Sequence, residues 1–163
     1  LGLSVAGIVA LATDAAALAF VGVMLGLAAL GSAAWIDARS LRIPNSLVVV
    51  AGAFGVVAID AADGGAGSLF GAVVAFSPLL LMHLVDPRAI GFGDVKYAAV
   101  AGLVVGAVSW PAAIGVPLVA LVGVSVARLL TRVRRRAFGP HLFAATVASI
   151  ALATWIASAG GSA

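Results

Sequence analysis

Two short stretches of the sequence carry side chains able to do chemistry. One is Asp37-Ala38-Arg39-Ser40-Leu41-Arg42-Ile43-Pro44-Asn45, the other Gly91-Phe92-Gly93-Asp94-Val95-Lys96. Each puts an aspartate at the edge of a long apolar segment, where an ionisable group is costly and points to a function. Two carboxyls brought close together do not both ionise easily, so one keeps a proton while the other stays charged. The charged one can take a proton from water as the water attacks a peptide carbonyl, and the protonated one can support the oxyanion or the leaving amine. Such a pair titrates as a unit and needs no covalent intermediate. The competing reading is that both are interfacial, solvated or paired with Arg39, Arg42 or Lys96.

The rest of the inventory excludes other chemistry. All six acidic residues are aspartates and there is no cysteine. Zincin sites, thiol nucleophiles, disulfides and Cys-ligated metals are therefore out of reach. His83 and His141 are too few for a three-ligand zinc site without aspartates, and each reads as a packed or interfacial histidine. No metal and no cofactor is expected.

The surroundings of the two aspartates are lipid. Of 163 residues, 64% are hydrophobic and 9% charged, with mean hydropathy +1.25. A soluble domain needs about a quarter of its residues charged. Uncharged stretches run over 15–36, 43–59, 64–85, 97–127 and 137–163. The fourth is too long for one span and holds Gly106, Ser109 and Trp110-Pro111 near its middle, a helix-breaking cluster. The chain thus reads as all-α, a polytopic membrane protein with a bundle of about six transmembrane helices, roughly 15–35, 45–62, 68–85, 95–105, 111–130 and 140–159. It is expected to be a single integral-membrane domain over 1–163. Residues 1–14, too short to span, are expected to form a surface helix or a tail.

With six helices, Arg39 and Arg42, then Arg88 and Lys96, then Arg128, Arg132, Arg134, Arg135 and Arg136 fall in the odd loops, which takes in all nine cations. The positive-inside rule puts those loops in the cytoplasm and both termini outside. Both aspartate stretches thereby reach one membrane face. The run Arg132, Arg134, Arg135, Arg136 reads as a determinant of topology and anionic-lipid contact rather than as a nucleic-acid site. Glycines on either side of Phe92 allow close backbone approach beside a carboxylate. Pro44 forces Ile43 into an extended conformation, and Asn45 is a good N-cap for the helix that follows. Helix ends suggest that Asp94, at an N-terminus, favours the anion and Asp37, at a C-terminus, the proton.

Asp37 followed by Arg42-Ile43-Pro44-Asn45, then Gly91-Phe92-Gly93-Asp94-Val95-Lys96, resembles the paired signature of the type IV prepilin peptidases, the GxGD aspartic proteases of the bacterial inner membrane. Phe138-Gly139-Pro140 is similar to the segment that opens that family's final helix. The resemblance implies cleavage of a short cytoplasmic leader from prepilin or pseudopilin substrates, with Asp37 and Asp94 as the catalytic pair. Gly91, Gly93, Lys96, Arg42, Pro44 and Asn45 would bind substrate or shape the site, with lipid anchoring the other role open to Arg42. Without cysteine the chain resembles the short, peptidase-only members, so methylation is not expected. Tyr97 and His141 depart from the residues common at their positions in the family.

Two other readings stay open: a small proton-coupled membrane transporter, because a carboxyl pair in a compact bundle also suits a proton relay, and a non-catalytic pilus-assembly membrane protein. Gly52, Gly55, Gly71, Gly102 and Gly106 permit close helix contacts or line a substrate cleft, bundle packing being the simpler role. Asp14, Asp60 and Asp63 are expected to keep the opposite helix ends in water.

Overall fold

The structure, a computed structural model, describes residues 5–61, 65–131 and 137–160. Six helices follow one another: α1 (Val5–Ser40), α2 (Asn45–Ala61), α3 (Gly65–Val85), α4 (Phe92–Ser109), α5 (Gly115–Thr131) and α6 (Gly139–Gly160). A 3₁₀ turn over Pro111–Ile114 joins α4 to α5. No strand occurs among the described residues. Lipid imposes this choice, since a helix satisfies its backbone N–H and C=O groups within its own segment. α1, α3, α4, α6 and the stretch Pro111–Leu130 are long and apolar enough to cross a membrane, whereas the apolar part of α2, Asn45–Ala58, is shorter. The protein is an all-α polytopic bundle.

Three boundaries differ from the sequence reading. Val5 to Thr13 are not a separate surface helix but the first turns of α1, which runs 36 residues. No Gly or Pro stands between Ile8 and Phe20 to stop it, and Asp14 is exposed on its surface. α4 begins at Phe92 rather than near 95, so Asp94 lies inside its first turn. At α2, the carbonyl of Pro44 accepts the N–H of Val48 (3.4 Å), which makes Pro44 the cap position and Asn45 the first helical residue. Arg132, Arg134, Arg135, Arg136 and Asp63 lie outside the described residues.

Close approaches between backbones reveal how the helices run. A β-carbon on Gly22 of α1 would stand 2.9 Å from the Phe54 carbonyl of α2, and one on Gly26 would stand 3.6 Å from that of Ala51. On α4, one on Gly106 would stand 2.8 Å from both the Gly67 carbonyl and the Ser68 Cα of α3, while Gly102 abuts Gly71 and Ala75. Gly115 meets Ser149, and Gly123 meets His141, between α5 and α6. In each pair one number rises as the other falls, so the helices alternate in direction. The end of α1, the start of α2, the end of α3, the start of α4, the end of α5 and the start of α6 therefore share one face. Arg39, Arg42, Arg88, Lys96 and Arg128 all belong to that face.

Small residues at four-residue spacing, Gly67, Gly71 and Ala75 on α3 facing Gly102 and Gly106 on α4, form the closest seam. In lipid no hydrophobic force draws helices together, and small side chains that admit close contact take its place. These glycines pack the bundle rather than line a cleft. The rest of the core is built from Leu30, Leu79, Tyr97, Val104, Val105, Val116 and Leu142, all fully buried. Phe20, Val49, Leu69 and Leu129 point outward to where lipid would lie.

The seam makes a quantitative statement about residue 102. Gly102→Val should destabilise the protein by about 1–3 kcal/mol through overpacking, read as earlier thermal unfolding in detergent. Gly52→Ala, whose added carbon would meet only Val100 at an ordinary 3.6 Å, should leave unfolding unchanged. Equal losses in the two variants would contradict the seam.

Candidate active site

Asp37 lies in the last turn of α1 and is only 4% exposed. α1 stops three residues later, at Ser40, and Leu41 adopts a left-handed conformation (φ 54°) while its N–H bonds the Asp37 carbonyl at 2.8 Å. A leucine is rarely found there, because its Cβ crowds the following carbonyl. Ser40 donates from Oγ to the Ile36 carbonyl at 2.8 Å, which ties off the same turn. The chain then crosses Arg42 and Ile43 to Pro44.

The Asp37 carboxyl does not point back to its own helix end. Its Oδ2 accepts the buried N–H of Gly139 at 2.9 Å, and the N–H of Phe138 also serves it. Gly139 is the first residue of α6, and the N-cap position is held by Phe138, which has no side-chain oxygen. Pro140 has no N–H, and the N–H of His141 bonds the Phe138 carbonyl at 3.0 Å. Asp37 therefore caps α6 from across the bundle, supplying the acceptor that Ser, Thr, Asp or Asn usually provides locally. The approach is close: a β-carbon on residue 139 would stand 2.9 Å from Asp37 Oδ2 and 3.3 Å from the Ala34 Cα.

Asp94 is the third residue of α4, partly buried, and its Oδ2 accepts the Gly91 N–H at 3.1 Å. That bond is half of a capping box; Gly91 has no side chain to return the other half. Gly91 is in an extended conformation, and a β-carbon there would stand 3.3 Å from Asp94 Oδ2. A β-carbon on Gly93 would meet Ile43 Cβ at an ordinary 3.5 Å. Close approach to the Asp94 carboxyl, rather than a left-handed backbone, is the use of Gly91. The Asp37 and Asp94 carboxyls lie within electrostatic reach of one another. Because both carboxyls lie at helix N-termini, helix ends alone do not divide their roles as the sequence suggested.

The other predicted residues sit around this pair. Lys96 Nζ lies 4.9 Å from the centre of the Phe92 ring and 3.5 Å from Asn45 Oδ1, to which it donates. Arg42 is exposed, as is Arg39, whose guanidinium stacks over Trp35 at 4.2 Å, the posture of an interfacial anchor. His83 donates from Nδ1 to the Ile90 carbonyl at 2.8 Å and stacks on Phe92, which pins the segment leading into Gly91. His141 faces Gly123 of α5. Among the described residues no three His, Cys, Asp or Glu side chains gather as metal ligands.

Sequence reasoning notes Tyr97 only as a departure from the family pattern and gives no role to it or to the α6 backbone. Tyr97 is fully buried, donates its hydroxyl to the Leu30 carbonyl of α1 at 3.1 Å, and lies within electrostatic reach of Asp37. It fixes α4 against α1 beside the carboxyls. The bare signal was an aromatic hydroxyl directly ahead of the small and aliphatic run of α4.

The cap makes a prediction that separates stability from chemistry. Asparagine keeps a side-chain oxygen that can accept from Gly139, whereas alanine keeps none. Asp37→Ala should be about 1 kcal/mol less stable than Asp37→Asn, measured by thermal or denaturant unfolding in detergent. Equal stabilities would remove Asp37 as the cap of α6.

Among known proteins, the model of the type IV leader peptidase family matches residues 24–157. No curated protein and no solved structure matches the chain. Since the matched span runs from within α1 almost to the end of α6, and takes in all three helix ends that meet at the two carboxyls, the chain belongs to the type IV leader peptidase family, a family of hydrolases.

Proposed function

We propose that the protein is a membrane aspartic endopeptidase that removes the short cytoplasmic leader from type IV prepilins or pilin-like precursors. The observation that carries this reading is that Asp37 and Asp94, on two different helices, lie at one end of the bundle within electrostatic reach of each other. The described cations lie at that same end, and the positive-inside rule assigns it to the cytoplasm of a bacterial inner membrane. A substrate whose cleavage site directly precedes a membrane helix would present its peptide bond at this depth.

In the reaction, one carboxyl is charged and the other protonated. The charged one takes a proton from a water molecule as the water oxygen bonds to the scissile carbonyl carbon, and the protonated one donates to the carbonyl oxygen. Collapse of the tetrahedral intermediate breaks the C–N bond, with a proton passed to the leaving nitrogen. The products are a carboxyl on the leader and a free amine on the mature protein. Gly91, Gly93, Pro44 and Asn45 shape the cleft, Lys96 spans from α4 to the start of α2, and Arg42 is available to substrate backbone or lipid phosphate. In this reading the whole chain is one integral-membrane domain, Arg132, Arg134, Arg135 and Arg136 contact anionic lipid, and neither metal nor cofactor takes part.

Charge placement favours this over a proton-coupled transporter, which needs ionisable groups near the bilayer midplane. Asp37 and Asp94 are within one turn of helix ends, and Asp14 is about 35 Å from Asp37 along α1.

Co-expression with a prepilin, followed by gel mobility of the precursor, tests the reading. Asp37→Asn and Asp94→Asn should each slow processing by roughly 10²–10⁴-fold, the usual worth of a positioned acid or base, at unchanged membrane levels. Normal processing by both inserted variants would exclude the dyad.

A further inference from the structure

We infer that the N-terminus of α6 is a working part of the site: the Gly139 N–H positions the Asp37 carboxylate for the reaction, and residue 139 must be glycine for that contact to form. The inference rests on the peptidase reading and adds a third helix to a site otherwise assigned to α1 and α4.

Three observations meet here. The bond from Gly139 to Asp37 is buried and 2.9 Å long, joining residues 102 apart in sequence. The first N–H groups of a helix have no partner within it, so this one is free for Asp37 without loss to α6. The third is steric: a β-carbon at residue 139 would lie 2.9 Å from Asp37 Oδ2 and 3.1 Å from Asp37 Cβ. Any side chain would push the carboxylate from its present place, and with it the water the pair must share with the substrate. On the opposite side Tyr97 holds α4 to α1 through Leu30, so displacement at Asp37 would alter its relation to Asp94. Misplacing a reacting group by about 1 Å can cost of order a hundredfold in rate. Gly139 is a positioning residue, since its N–H touches the carboxylate and not the substrate.

A backbone ester at residue 139, introduced by replacing glycine with glycolic acid during cell-free synthesis into nanodiscs, removes the N–H and adds no atoms. With a purified prepilin precursor as probe, kcat per folded molecule should fall about tenfold or more, the scale of a hydrogen bond to a charged group, while KM stays within about twofold; the lost cap bond also lowers the unfolding temperature, as Gly106→Ala does without loss of kcat. Gly139→Ala should also lower kcat at constant KM. Gly106→Ala, a packing glycine of the α3–α4 seam, should lower stability but leave kcat per folded molecule unaltered. An ester variant with wild-type kcat, or a loss that falls on KM or stability alone, overturns the positioning role while wild-type cleavage keeps the peptidase reading intact. Absence of cleavage by the wild-type chain overturns both.

Discussion

A buried hydrogen bond, from the backbone of Gly139 to the carboxylate of Asp37, joins the first helix of the bundle to the last. Most contacts in this protein are between small apolar groups that lipid could replace without much change in energy. A buried carboxylate is different. Left without donors it would cost several kcal/mol, and here it finds donors at the start of a helix that needs an acceptor. Each side solves the other's problem, and the solution is possible only with α1 and α6 in one relative position.

The remaining order follows from two further ties. Tyr97 fastens α4 to α1 just below the carboxyls, and the glycine seam fastens α3 to α4 along their length. α3 in turn ends at His83, whose bond to Ile90 holds the short connection that delivers Gly91 and Asp94. The position of Asp94 is thus set from α3 as well as from α4. The polar ties of Asp37, Asp94, Tyr97 and His83 all lie toward the same end of the bundle.

Much of this was legible in the sequence because charge is so costly in lipid. Nine cations and two motif aspartates mark helix ends by their mere presence, and Trp110-Pro111 marks the break between α4 and α5. What could not be read was anything decided by a partner far away in the chain. Gly91 and Gly93 look like loop residues until Ile43 and the Asp94 carboxyl are seen beside them. Val5 to Thr13 look detached because the eye stops at Asp14, although nothing in the local covalent structure ends a helix there. The cap of α6 is the clearest case, because a backbone N–H has no letter in the sequence and its acceptor lies 102 residues away. The direction of the Asp37 side chain, and so the balance of fields on the pair, was hidden for the same reason.

The shortness of α2 has a consequence for the membrane itself. The helix runs 17 residues, Asn45–Ala61, about 26 Å of helix against a hydrocarbon core of about 30 Å. Val49, Val50, Val56 and Val57 on it are exposed, so lipid must meet this helix directly. A span a little shorter than the hydrocarbon is accommodated by local thinning of the bilayer or by snorkelling of flanking residues. α2 starts one loop after Asp37, so thinning at its start would bring the headgroup boundary closer to the carboxyls.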